Sequence, residues 1–428
     1  MFVALGFLLG SLALSVASSF LDATILPTLI PLFVAAGLAI VAVNVPTQEA
    51  ERFSALVRPV ALCASVPAVW MLLQMAPLPF PGLVHPVWRS VAAAFPHPPA
   101  GAISVDIGAT TLALARYAAL VGALLLTTAL TVNRERAETV LAALAGATTL
   151  CAALVIALDL FGAPTAAVRE EATSAACLGV VLNAALACFV FERHETRRAK
   201  LGFSTAKFLY PMAATIVAFA ICVAAIGRAW SGSLSFAAAC GFSAFAAIFI
   251  VRRLNLGRWG AGALAVTGAV IVFALITGAI DAESDARLTF VRKDAATIDL
   301  TRRILADTPP AGAGAGAFAS LAPIYRSASP DVADLRAATA AAQLSIELGR
   351  PALWASLAAA LAGAAALVRA AARRGRDSFF PAAAAASLLT LIVLAFINVS
   401  LFAPALPFLA AVICGLGLAQ SQQSRSSA

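Results

Sequence analysis

Residues 379–397 read FFPAAAAASLLTLIVLAFI, nineteen consecutive positions without a charged side chain. An α-helix of roughly 20 apolar residues is long enough to cross the hydrocarbon core of a bilayer. The rest of the chain has the same character, since 62% of its 428 residues are hydrophobic, 12% are charged and the mean hydropathy is +0.94. A water-soluble fold of this composition could not cover its surface with polar side chains, so the expected solvent is lipid.

Apolar stretches of this length recur along the chain, and they predict an all-α polytopic membrane protein with about twelve spanning helices. The candidate spans are 2–20, 26–45, 59–76, 109–131, 139–161, 174–191, 208–226, 232–251, 260–280, 352–369, 379–397 and 400–419. The last two are separated by almost nothing, so they form either a tight hairpin at Asn398 or a pair in which one segment is re-entrant. The chain is thereby divided into helices one to nine (1–280), one large loop (281–350) and the last three helices with a tail (351–428).

The basic residues predict the orientation. Seventeen Lys and Arg residues fall on one set of alternate loops and the tail, whereas the other short loops hold only Arg89, Arg169 and Arg228. Short cytoplasmic loops are enriched in Lys and Arg. Both termini are therefore expected in the cytoplasm of a bacterial inner membrane, with the loop 281–350 on the periplasmic face. The net charge of +8 reflects this topology, and no nucleic-acid partner is expected.

Metal and cofactor chemistry is not indicated. The seven cysteines lie in apolar stretches without a CxxC pair, and the three histidines are far apart. Such cysteines are typical of small buried hydrophobic residues. We therefore expect no metal site and no cofactor.

Two segments on the expected outer side are long enough to form structure of their own. The proline-rich segment 77–108 predicts an ordered loop around a short helix near Val87–Ala94. The segment 281–350 predicts an amphipathic helix over 284–306, then a turn at three alternating glycines, and a further helix from about Ser329 towards Gly349. The glycines, at 312, 314 and 316, form either a flexible turn or a place where backbone approaches a phosphate or a sugar.

Ionisable residues in or beside the spans are candidates for function, because a charge in hydrocarbon is costly. Arg116 and Asp159 lie in the fourth and fifth spans, both towards the outer leaflet. Either they pair, or Arg116 snorkels to the interface and Asp159 simply ends its helix. Arg228 lies in a very short outer loop with Trp230 as an interfacial anchor. Its guanidinium suits a lipid-linked phosphate, the alternative being a stray charge without function.

Three motifs resemble the O-antigen ligase and polysaccharide polymerase family. Gly-Arg-Ala-Trp at 227–230 is similar to the arginine motif that opens the corresponding helix of that family. Residues 302–326, which contain the alternating glycines and end on Tyr325-Arg326, resemble its outer-loop stretch, and QLSIELG at 343–349 resembles the helix that follows. The number of spans and the late position of the large loop agree as well.

This resemblance implies metal-independent glycosyl transfer on the periplasmic face. The donor would be a glycan linked to undecaprenyl pyrophosphate, and the acceptor would be lipid A-core or a growing polysaccharide chain. Arg228 would be the catalytic residue that binds the pyrophosphate leaving group, whose developing charge a fixed cation stabilises. The substrate-binding candidates, by resemblance or by position, are Arg302, Arg303, Tyr325, Arg326, Arg116 and Glu347.

One departure from the family pattern concerns the general base. The ligases of the family carry a histidine nine residues before the position of Glu347, where this chain has Ala338. The chain could be a polymerase-type member that does not use the histidine, Glu347 or Asp331 could be the base, or the chain could be a non-catalytic relative. A transporter or flippase of a lipid-linked saccharide, or a non-catalytic partner of polysaccharide assembly proteins, are the alternative functions.

Overall fold

The computed structural model describes residues 1–21, 25–77, 84–94, 101–162, 164–201, 206–253, 295–325, 336–374 and 377–421. Over these ranges the chain is helical and contains no strand, which confirms the all-α class. Ten of the described helices are long and apolar enough to cross a membrane. The protein is therefore a multi-pass membrane protein. The predicted ninth span, 260–280, lies outside the described residues.

The described helices are numbered in chain order. They are α1 Phe2–Phe20, α2 Ile25–Asn44, α3 Thr47–Met75, α4 Val87–Ala94, α5 Ile107–Leu130, α6 Arg134–Phe161, α7 Ala166–Leu201, α8 Ala206–Arg228, α9 Gly232–Arg253, α10 Ala295–Asp307, α11 Phe318–Tyr325, α12 Ala340–Glu347, α13 Arg350–Arg373, α14 Phe379–Ile397 and α15 Ala405–Ala419. A short 3-10 turn, Ser400–Phe402, joins the last two. The short helix α4 has the predicted bounds, and α10 ends before the two prolines as predicted.

Two spanning helices extend furthest beyond the apolar stretches that predicted them. α3 begins at Thr47 rather than at residue 59, and α7 runs from Ala166 to Leu201 rather than over 174–191. The added turns are rich in Glu and Arg, which are good helix formers. Hydropathy detects only the part of a helix that lipid covers, so these polar ends escaped the prediction.

Of the last two predicted spans, α14 is one of the ten candidate membrane helices, whereas α15 begins at Ala405 rather than at residue 400 and is shorter, with 15 residues. The N–H of Ala405, at the start of α15, donates to Oε1 of Glu171 near the start of α7 (2.6 Å). At the other end of α15, the side-chain amide of Gln420 donates to the carbonyl of Thr131, just after α5. α15 thus contacts both ends of the bundle, which favours the hairpin over the re-entrant segment.

Small residues allow the spanning helices to approach one another closely. A Cβ atom added at Gly179 of α7 would lie 2.6 Å from Sγ of Cys222 in α8, and one at Gly415 of α15 would lie 2.6 Å from the carbonyl oxygen of Leu124 in α5. Lipid provides no hydrophobic drive between helices, so their association depends on such close packing. These contacts fix the bundle that carries the polar segments at its two ends.

The two ends of the bundle differ in composition. We call one the loop end; it carries the segments 84–94, 101–106, 295–325 and 336–349. We call the other the arginine end, where the starts of α6 and α14 meet the end of α7. Its contacts are the ion pairs of Arg134 with Glu138 and Asp377, and of Arg193 with Glu138. The alternation of basic loops thus brings these arginines to one end, as predicted.

Candidate functional site at the loop end

The alternating glycines form a tightly packed loop rather than a flexible turn. Gly312, Gly314 and Gly316 have φ angles of +82°, +106° and +75°, a region that glycine adopts without steric cost. A Cβ at Gly312 would collide with the carbonyl oxygen of Glu347, and one at Gly316 would lie 3.0 Å from that of Ala109. The close approach is therefore to the protein's own backbone, which corrects both expectations for this loop.

Backbone hydrogen bonds hold the glycine loop between α12 and the segment that precedes α5. The N–H groups of Ala313 and Gly314 donate to the carbonyls of Ile346 and Glu347 (2.8 and 3.0 Å). On the other side, the N–H of Val105 donates to the carbonyl of Ala313 (2.8 Å). Three segments distant in sequence are thus joined through main-chain groups.

Gln74, near the end of α3, is the side chain at the centre of this arrangement. It is fully buried, and its Nε2 donates to the carbonyls of Ala311 and Glu347 (3.1 and 3.0 Å). Its Oε1 accepts from the N–H of Ala315 (3.3 Å). Buried polar backbone groups need such partners. Sequence reasoning missed Gln74, although an amide near the end of an apolar span was the available signal.

Glu347, a predicted substrate-binding residue, is enclosed in the same packing. Its carboxylate accepts hydrogen bonds from the N–H groups of Gly316 and Phe318 and from Nε2 of Gln343 (2.9 Å). Its burial raises the pKa of the carboxyl group. All these donors belong to the protein, so we assign Glu347 to holding the glycine loop. To contact an acceptor sugar, the carboxylate would have to give up these partners.

Ala338, at the position of the family histidine, is also enclosed. Its exposed fraction is 0%, and its N–H donates to Oγ1 of Thr301 (3.1 Å). The methyl group belongs to a small core with Ile304 and Phe318. The Ala338 side chain therefore faces the core of the loop end and not an open surface.

The predicted arginines that the structure describes remain accessible. Arg228 is the last residue of α8, Arg302 lies on α10 and Arg116 lies on α5, and all three side chains are exposed. Among the described residues, none of these three guanidinium groups has a hydrogen-bond or ion-pair partner. Arg303 differs, because its Nη2 lies 2.6 Å from Oδ2 of Asp299 one turn away.

The two alternatives for Arg116 and Asp159 are resolved by a third residue. Nη2 of Arg169, at the start of α7, lies 2.7 Å from Oδ1 of Asp159. Asp159 is therefore not paired with Arg116. The arginine keeps an exposed side chain on α5, as a residue that snorkels to the interface does.

Tyr325 connects two short helices of the loop end. It ends α11, and its hydroxyl is hydrogen-bonded to the carboxylate of Asp307, the last residue of α10. Burial, followed by the charge of Asp307, raises the pKa of this phenol. Arg326, the candidate next to it, lies outside the described residues.

Two carboxylates at the start of α7, the buried Glu171 and the partly buried Glu170, also belong to this end and were not predicted. Oε1 of Glu171, besides the bond from Ala405, accepts from the N–H of Leu406 (3.4 Å), and Oε1 of Glu170 accepts from the N–H of Val399 (3.0 Å). A carboxylate at a helix N-terminus satisfies free N–H groups and the helix dipole. These two residues stabilise the α14–α15 connection.

The loop end is thus a hydrogen-bonded cap with exposed guanidinium groups around it. Within the described residues, no group of three or more His, Cys, Asp or Glu side chains could hold a metal ion. Exposed guanidinium groups of this kind can bind an anion. No protein-family model matches this chain, and no curated protein matches it either.

Proposed function

We propose that the protein transfers a glycan from undecaprenyl pyrophosphate to lipid A-core or to a growing polysaccharide chain. The observation that carries the proposal is the exposed guanidinium of Arg228, which ends a spanning helix without a protein partner among the described residues. A permanently charged planar group at the end of a spanning helix suits a membrane-bound pyrophosphate, which it can hold through two hydrogen bonds.

The chemistry requires stabilisation of a leaving group. An acceptor hydroxyl attacks the anomeric carbon of the donor, and the bond from that carbon to the phosphate oxygen breaks. Undecaprenyl pyrophosphate leaves as an anion, and the hydroxyl proton goes to water. Arg228 would stabilise the charge that develops on the phosphate oxygen. Arg302 and Arg116 would add positive potential along the bound lipid.

The orientation of the protein is part of the proposal. Lys and Arg residues of short loops stay in the cytoplasm, so the arginine end faces the cytoplasm and the loop end faces the periplasm. Cysteine introduced at Ser90, an exposed residue of α4, tests this directly. We expect it to react with a membrane-impermeant maleimide added to intact spheroplasts. Protection until the membrane is lysed would put the loop end inside the cell and remove the site for this reaction.

The decisive experiment is glycan transfer by reconstituted variants. Arg228→Ala should lower the transfer rate by about a hundredfold, the usual effect of removing one donor to a developing oxyanion. Arg89→Ala is the matched control, because Arg89 is also exposed at the loop end; it should retain full activity. Undiminished transfer by Arg228→Ala would refute the proposal. Lipid flipping without transfer would instead favour a flippase.

A further inference from the structure

Arg228 ends α8, and its place in the bundle is determined by the helices that hold α8 and α9. α8 packs mainly against α6 and α7, whereas α9 packs mainly against α7 and α14. The two helices that the turn after Arg228 joins therefore have α7 as a common neighbour. Contacts from α7 thus determine where this turn lies, and with it the guanidinium of Arg228.

The contact between α7 and α8 is centred on the sulfur atom of Cys222. This residue is fully buried and lies six positions before Arg228, about 9 Å along the helix axis. Gly179 of α7 leaves room for the sulfur, and Nδ2 of Asn183, one turn further along α7, lies 3.7 Å from Sγ. The hydroxyl of Thr149 in α6 is 3.8 Å from the same atom. Polar groups of two helices therefore surround one atom of α8.

Asn183 is a polar side chain inside the bundle, with 1% of its surface exposed. Its Nδ2 also donates to the carbonyl of Gly179 in its own helix (2.8 Å) and to Oγ1 of Thr149 (3.0 Å). A polar side chain between spanning helices is costly unless it finds such partners. A buried asparagine between two helices can select one register of packing, because a shifted register leaves the amide without its partners.

A second contact from α7 holds the start of α9. Sγ of Cys177, which is fully buried, donates to the carbonyl of Leu234 (3.6 Å). Leu234 lies in the first turn of α9, which begins at Gly232. The connection between Arg228 and Gly232 is therefore held by α7 on both sides, through Cys222 in α8 and Leu234 in α9.

We propose that Asn183 is a positioning residue, which fixes the register of α8 against α7 and thereby the place at which Arg228 meets the pyrophosphate. A slip of α8 by one turn would move the guanidinium by about 5.4 Å, much more than the range of distances over which a hydrogen bond persists. Apolar side chains would fill the same space, but their contacts are not directional and do not select one register. This inference rests on the proposed function, because Asn183 acts only through Arg228.

The test is a double-mutant cycle in the glycan transfer assay with the full-length protein. Asn183→Leu preserves the size of the side chain and removes the amide, while the hydroxyl of Thr149 keeps its bond to the carbonyl of Ala145 (2.7 Å). We expect kcat to fall about tenfold, because a displaced catalytic group loses much of its effect. The KM of the acceptor should not change. In the Arg228→Ala background, Asn183→Leu should have no further effect.

Two further variants complete the cycle. Cys222→Ala removes the sulfur from α8 and leaves Asn183 in place, so it should lower kcat in the same Arg228-dependent way, and it provides the test if Asn183→Leu does not fold. Thr215→Val is the matched control. Thr215 is also buried on α8, and its hydroxyl donates to the carbonyl of Met212 in the same helix (2.8 Å). This variant should retain full activity.

Two outcomes would overturn the inference alone. Asn183→Leu and Cys222→Ala could transfer glycan at the wild-type rate, which would exclude a positioning role. They could also lower the rate by the same factor with and without Arg228, which would show a general effect on packing. By contrast, an Arg228→Ala variant that transfers glycan as the wild type does would overturn the proposed function itself.

Discussion

The two ends of the bundle hold many of their polar groups in different ways. At the arginine end, four arginines form ion pairs with carboxylates from other segments of the chain. The pairs are Arg136–Glu49, Arg134–Asp377, Arg193–Glu138 and Arg252–Glu192. At the loop end, buried carboxylates and amides bind backbone groups instead, while Arg228 and Arg302 have no partner among the described residues.

This difference distinguishes arginines that stabilise the bundle from arginines that can bind a ligand. An arginine that forms an ion pair between helices has its donors occupied and adds to the stability of the bundle. An arginine without a partner adds little to stability, but it can bind an incoming anion with its full hydrogen-bonding capacity. The loop end can leave Arg228 and Arg302 without a partner because glycines and amides hold it together. The following predictions test this contrast, from the largest expected effect to the smallest.

The largest effect should come from the glycine loop. Gly314→Ala would place a methyl group in the φ +106° region and against the side chain of Ser104. We expect a loss of about 3 kcal/mol in the free energy of unfolding, from backbone conformation and overpacking together. Melting in detergent micelles, followed by limited proteolysis of the loop end, measures it.

The matched control for this variant is Gly6→Ala. Gly6 lies in α1, and a Cβ there has no neighbour within 4 Å. This change should be neutral or stabilise the protein by up to about 1 kcal/mol, since alanine favours helix. Equal melting temperatures of the two variants would mean that the glycine loop is not a structural element.

At the arginine end, the largest effect should come from the buried pair. Glu49→Gln would leave Arg136, whose side chain is 10% exposed, without its carboxylate at 2.9 Å. We expect a loss of about 2 kcal/mol, because an uncompensated buried charge is costly and Glu49 is itself partly exposed. Glu138→Gln is the control; its partners Arg134 and Arg193 are 45% and 49% exposed, so the loss should stay below about 1 kcal/mol. Thermal melting of both variants at low salt tests whether the burial of the arginine determines how much stability is lost.

Much of the bundle could be predicted from the sequence because lipid is the solvent of the spanning helices. In lipid, a run of apolar residues leaves few alternatives to a helix, so α1, α2, α9 and α14 lie within one or two residues of their predicted bounds. The polar ends of α3 and α7 were missed, because in water a helix end depends on capping and packing. Glu171 was assigned to a loop for this reason.

The candidate site was harder to predict, because its contacts are distant in sequence. Gln74 and Glu347 are 273 positions apart, and no local pattern relates them. Exposed arginines at helix ends could be predicted from topology, as Arg228 was. The enclosed positions of Glu347 and Ala338 could not, since a motif shows which residues occur together but not whether they face solvent.

The pH dependence of stability should distinguish the buried carboxyl group of Glu347. Its pKa is raised in the folded state by burial, so the folded protein binds this proton more tightly than the unfolded chain does. Stability from this group therefore increases as the pH falls from the raised pKa towards the ordinary value of a glutamic acid.

Glu347→Gln cannot titrate and removes this contribution. The melting temperature of the wild type minus that of Glu347→Gln should rise as the solution is made mildly acidic. Hydrogen bonds from the N–H of Ala109 and the hydroxyl of Ser320 lower the pKa of Asp106. The stability that Asp106 contributes is therefore lost as the pH falls, and this loss is the same in both proteins. The difference therefore isolates Glu347, and a pH-independent difference would contradict the assignment.

The smallest effects should come from two neighbouring arginines of α10, which provide the closest comparison of a free and a paired cation. Arg302 has no partner among the described residues, whereas Arg303 pairs with Asp299. Both pairing partners are about half exposed, so either change to alanine should alter stability by less than about 0.5 kcal/mol. Binding of undecaprenyl pyrophosphate should separate them: Arg302→Ala should weaken it about threefold and Arg303→Ala hardly at all. Equal weakening by both would show that the local charge of the helix, rather than the pairing of each arginine, determines how this end attracts an anion.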